Sequence, residues 1–141
     1  MKYSVSTVFL SVAISSFCSF STLAEVAVVV HPSNQINLTK NEIKRIYLGK
    51  MKNFANGQVI LPIDLSEGDK TRNAFNKQLL GKSSSQIKAY WSKLIFTGKG
   101  TPPKNVRSES EVISAVAANP GTIGYVEASQ VTDQVRVIVK F

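Results

Sequence analysis

VILPIDLSEGDKTRNAF, residues 59–75, decides the fold. Val59, Ile60, Leu61 and Ile63 make a short apolar run of the kind that forms a buried strand. Pro62 has no N–H, so the strand must be short or must place Pro62 where a missing donor does no harm. Ser66-Glu67-Gly68-Asp69 is a polar turn. Lys70 then opens a helix carried by Phe75 and Leu79 to Leu80 and stopped by Gly81. A strand that passes through a tight turn into a helix is the unit from which α/β layers are built. The first turn of that helix has N–H groups without intrahelical partners and sits at the positive end of the helix dipole, a seat for a small anion. Ser66 and Thr71 add hydroxyls, Gly68 lets backbone approach a ligand, and Lys70 and Arg72 add positive charge. Asp69 opposes this: as the helix N-cap it satisfies the very N–H groups an anion would use.

Outward from this unit, strands and helices alternate. Residues 25–31, EVAVVVH, are the continuous β-branched run of a strand buried on both faces. Thr39 and Glu42 form a capping box for a helix through Ile43, Ile46 and Tyr47, ended by Gly49. Ser83 and Gln86 form a second capping box, ahead of a stripe of Ile87, Tyr90, Trp91, Leu94 and Ile95 at helical spacing. Trp91 is read there as a core anchor rather than a ligand-stacking ring. Residues 97–105, TGKGTPPKN, read as a loop. Ser108 and Glu111 cap a helix through Val112, Ile113 and Val116. Residues 122–126 and then Val135, Val137 and Val139 close the chain as strands. The fold class is α/β: one layered domain on a mainly parallel or mixed sheet.

Composition bounds the function. Lys2 followed by a mostly apolar run from Val5 to Phe20, with Thr22 and Ala24 at the cleavage positions, predicts residues 1–24 as a secretory signal peptide cut after Ala24. Spanning a bilayer takes about 20 apolar residues, so this serine-rich run is short for an anchor. Bulky Phe17 disfavours a lipid anchor on Cys18. The expected mature chain, residues 25–141, is one small domain without cysteine, which excludes thiol redox chemistry and cysteine-ligated zinc. Of 17 Lys and Arg residues only Lys2 leaves with the signal, so the mature balance is 16 − 9 = +7. Such a chain suits anionic solutes or an anionic surface. Nucleic acid is disfavoured because the basic residues are scattered, with few aromatics among them.

Other constellations are weak. Gly98-Lys99-Gly100 could bring Lys99 to an anion as a second wall, but lacks phosphate-loop spacing. His31 is the only histidine and no nucleophile–base pair or Gly-x-Ser-x-Gly elbow is present, so catalysis is not expected. Asp64, Glu67 and Asp69 do not match calcium-loop spacing, and no cofactor or metal is expected. Asn37-Leu38-Thr39 is a glycosylation triplet that matters only in a eukaryotic secretory route.

Together, IKRIYLGKMKNF (43–54), PIDLSEGDKTRNAF (62–75) with LLG (79–81), TGKG (97–100) and NPGTIGYVEAS (119–129) resemble, in this order, the phosphate-binding proteins of ABC importers, which are type II periplasmic binding proteins. The resemblance runs from about Val26 to Gln130 and covers one of that family's two lobes. It implies an exported, periplasmic solute-binding-protein-like domain related to phosphate transport. Phosphate or a similar oxyanion would sit at Ser66, Gly68, Asp69, Lys70, Thr71 and Arg72, with Lys99 opposite, and an ABC permease or membrane sensor would be the partner. Two departures stand out. This chain has length for one lobe only, leaving open whether two copies pair to rebuild a cleft. The family's Gly-Ser-Gly-Thr turn aligns with Gly68, Asp69, Lys70 and Thr71, so Asp69 replaces its serine. The family's preceding arginine falls at Asp64 or Leu65. A carboxylate about 4 Å from an anion's charge costs on the order of 4 kcal/mol at intermediate dielectric, about a thousandfold in affinity. The alternative expectation is therefore a non-transport interaction or sensory module that kept the fold and lost the ligand.

Overall fold

The computed structural model describes residues 24–141; the signal segment expected over residues 1–24 lies outside them except for Ala24. Five strands form one mixed sheet: β1 (Val26–Val30), β2 (Leu61–Leu65), β3 (Lys104–Val106), β4 (Thr122–Glu127) and β5 (Arg136–Lys140), in the order β3-β2-β4-β1-β5. β2 runs parallel to β3 and β4, and β1 runs antiparallel to β4 and β5. The helices are α1 (Lys40–Tyr47), α2 (Lys70–Phe75), α3 (Ser84–Phe96) and α4 (Glu109–Ala118). β1 lies between two neighbours, and all five of its residues are buried, as its unbroken apolar, valine-rich run requires.

β2 begins two residues later than the apolar run and extends to Leu65. Pro62 pairs with Ile123 of β4, and the Leu61 N–H already donates to Gly121 on that side. The nitrogen of Pro62 therefore faces the other flank, where β3 starts only opposite Ile63, and the missing donor breaks no ladder bond. β3 itself falls inside the stretch expected to be loop. It has three residues, follows Pro102-Pro103 and is held through its backbone to β2, so no apolar alternation announces it.

Both capping boxes form, at Thr39/Glu42 and Ser83/Gln86. The helix expected over residues 70–80 divides: α2 ends at Phe75, and Asn76–Leu80 make a π-helical turn before Gly81 at φ +65°. The wider turn accommodates the adjacent Leu79 and Leu80 in the core together. Across the sheet, Phe75 stacks on Tyr125 with ring centroids 3.9 Å apart, and Tyr47 packs edge-on to both. The buried Tyr47 hydroxyl donates to the Ile63 carbonyl at 2.9 Å. α1, α2, β2 and β4 are thereby locked around one aromatic cluster directly beneath the turn at residues 66–72. The first and last strands also meet at their tips: Val26 N–H donates to Phe141 O at 2.9 Å, and Phe141 N–H to Val26 O at 3.1 Å.

Candidate functional site

The turn leaves β2 at Leu65 and enters α2 at Lys70, with Gly68 at φ +88°, a left-handed conformation that a side chain would strain. Asp69 is the N-cap. Its Oδ1 accepts from the N–H of Thr71 at 2.8 Å and of Arg72 at 3.1 Å. The Thr71 hydroxyl donates to Glu109 Oε1 at 2.6 Å, and the same oxygen accepts the Glu127 N–H at 3.2 Å. Ser66 Oγ donates to the Val106 carbonyl at 3.0 Å. The Thr71 and Arg72 N–H groups and the Ser66 and Thr71 hydroxyls are thus engaged, mostly by the chain's own carboxylates, whereas the buried Arg72 Nε has no hydrogen-bond partner. Glu109 is the residue that sequence reasoning missed. It is the first residue of α4, where an acid reads as ordinary helix-dipole compensation, and nothing local reports that α4 points it across to Thr71.

The cations are committed too. Arg72 Nη2 lies 3.2 Å from Asp64 Oδ2, with both side chains largely buried. Lys70 Nζ reaches Glu127 Oε2 at 3.7 Å, and Lys88 reaches Glu67 at 3.4 Å. Asp64, Glu67 and Glu127 thus pair with Arg72, Lys88 and Lys70, while Asp69 and Glu109 take up N–H and hydroxyl donors of the turn. Asp64 also accepts a hydrogen bond from the buried Tyr125 hydroxyl. Burial raises the Asp64 carboxyl above its ordinary 3.8, with the Tyr125 bond and the Arg72 charge acting against that shift. Burial likewise pushes the Tyr125 and Tyr47 hydroxyls well up. Asp64, Glu67 and Asp69, clustered in sequence, do not converge on one point: Asp64 takes the Arg72 side chain and Tyr125, Glu67 takes Lys88, and Asp69 takes the Thr71 and Arg72 N–H groups. His31 is occupied locally, its Nδ1 2.7 Å from Ser33 Oγ.

Lys99 is not brought to this turn. It lines a separate groove of about 930 Å³ at the start of β2, together with Lys52, Lys104 and Trp91 and with none of residues 64–72. Trp91 is 8% exposed, and so serves the core as expected while also forming this groove's floor. Among the described residues no helix is long and apolar enough to cross a membrane.

The family model for the PBP superfamily domain, PBP denoting periplasmic binding protein, matches residues 22–140. The chain belongs to the PBP superfamily. Among solved structures, this PBP-superfamily domain is similar to an ABC-type phosphate transport receptor from Vibrio cholerae, at 25% identity and TM-score 0.64 over 83% of this chain and 47% of that one. It is equally similar to a putative phosphate ABC transporter substrate-binding protein with bound phosphate from Clostridium perfringens (25%, 0.64), over 82% of this chain and 45% of that one. PstS from Borrelia burgdorferi shares the fold at 18% identity, TM-score 0.60, over 82% of this chain and 47% of that one. The chain thus spans less than half the length of these structures. No functionally curated protein shows significant similarity to it. The mixed sheet with helices packed on it is the PBP-like fold of the phosphate-binding neighbours.

Proposed function

We propose that this chain is an exported solute-binding-protein-type domain of phosphate ABC transport that does not capture free phosphate at residues 66–72 and acts by protein contact, docking on a membrane component such as an ABC permease or sensor. One observation carries the reading: carboxylate oxygens of Asp69 and Glu109 already accept the Thr71, Arg72 and Glu127 N–H groups and the Thr71 hydroxyl. An incoming phosphate must displace carboxylates that are tethered, and hence at high effective concentration, and that repel its charge. The domain is non-catalytic in this reading and is released to the periplasm after cleavage at Ala24.

The test is calorimetric titration of phosphate, with sulfate as control, into the mature protein and into D69S/E109Q. The wild type should give no heat and no thermal stabilisation at millimolar phosphate. The variant, in which Ser restores a hydroxyl and Gln removes a charge, should gain at least about tenfold in phosphate affinity. Micromolar phosphate binding by the wild type overturns the reading. It would support a second one, phosphate reception by a single lobe or a pair of lobes, which is favoured by the neighbour with bound phosphate and by the open side of Gly68.

A further inference from the structure

The groove at the start of β2 differs from the turn in every respect that matters to a partner. Its volume of about 930 Å³ is too large for one side chain. Val59, just before β2, and Leu61, its first residue, both line it and remain 60% and 44% exposed. Three lysines, Lys52, Lys99 and Lys104, line it and no Asp or Glu does. Among the described residues, none of the three forms an ion pair.

The floor is rigid. Trp91 is held between two glycines: a Cβ on Gly49 would come within 2.9 Å of the indole, and one on Gly100 within 3.3 Å. Gly49 sits at φ +71° just beyond α1, so its glycine answers both to the helix end and to the ring. Pro102 and Pro103 form a wall whose backbone is stiff and, lacking N–H groups, offers a bound chain only carbonyls. A preformed apolar trough with a tryptophan at its centre is the construction that concentrates binding energy at protein interfaces.

We propose that this groove docks an extended segment of a partner protein in which large apolar side chains are flanked by Asp or Glu. The apolar side chains cover Val59, Leu61 and Trp91, and the carboxylates meet the three lysines. This rests on the protein-contact reading above and names the chemistry of the contact. Unpartnered lysines along an apolar trough select an acidic occupant by charge complementarity and repel a second basic copy of this chain.

Trp91 is the only tryptophan and lines both this groove and the neighbouring pocket at Asp64, Glu67 and Arg72, so a fluorescence change is assigned to the groove through its loss in L61E and K99E. The probe is a pool of synthetic peptides whose central positions vary over Leu, Ile, Phe, Val and Pro, flanked by Glu and Asp, against the same pool flanked by Lys. The mature chain should show a saturable Trp91 change with the acidic pool only, in about the 1–100 µM range. Binding should weaken at about 1 M salt, where the Debye length is about 3 Å. L61E and K99E should each weaken it about tenfold or more with thermal stability unchanged; both positions reach solvent, so folding is not at stake. Equal response to both pools, or no saturable response to either, overturns the proposal. So does a Trp91 change with octanoate but not with peptide, or concentration-dependent self-association that L61E abolishes. Micromolar phosphate capture in the calorimetry defeats the protein-contact reading itself; a silent groove without phosphate binding defeats only this assignment.

Discussion

The two ends of β2 have opposite electrostatic economies. Beyond Leu65, Lys70, Arg72 and Lys88 each have a carboxylate partner. Before Leu61, three lysines share an apolar groove with no carboxylate at all. A formal net charge of +8 over the chain locates neither. The difference teaches that a basic protein's available positive charge need not lie at the helix N-terminus its family would use. Here that terminus is satisfied from within, and the uncommitted charge sits about one strand-length away.

The sharpest way to break the comparison is to strike the groove from beneath. W91A should cost about 4 kcal/mol in urea unfolding, because it empties a site pressed between Gly49 and Gly100. A loss below about 1 kcal/mol would mean that the ring is a replaceable wall and the groove is not preformed. On the turn side, R72A should cost about 3 kcal/mol near neutral pH, because it strands the largely buried Asp64 with only the Tyr125 hydroxyl. Restoring part of that loss with D64N in the R72A background would assign the penalty to the orphaned charge, while no restoration would assign it to lost packing. The smallest effect is pH-dependent and should separate the two ends cleanly. Asp64 has a folded-state value raised above 3.8, so its contribution to stability is complete below that value and is lost as pH rises through the raised one. Wild type should therefore lose stability relative to D64N across that window, whereas K99Q, which alters the groove without adding a carboxyl, should track wild type. Parallel pH profiles for wild type and D64N would show that Asp64 is not the titrating group.

Much of this was legible beforehand because the signals were local. The valine-rich run of β1, both capping boxes, and Asp69 as a carboxylate at an N-cap position all depend on neighbours within a few residues. What escaped depended on distance in the chain. Glu109 meets Thr71 across 38 positions, β3 exists only because β2 offers it a ladder, and Lys99 is carried to the groove by the loop that follows α3. Even the division of α2 at Asn76 reflects the core's demand for Leu79 and Leu80 together, not helix propensity, which is adequate throughout residues 70–80.

The paired hydrogen bonds between Val26 and Phe141 have a practical corollary. Polypeptide enters and leaves the folded unit at a single doorway on the sheet, so the unit is a natural cassette. Spliced into a surface loop of a host protein, it would ask the host to part its chain by only a few ångströms (about the 4.5–5.5 Å that separates Cα atoms on neighbouring antiparallel strands). A new amino terminus cut at a loop tip, with residues 26 and 141 joined by a short linker, should likewise leave the sheet order intact.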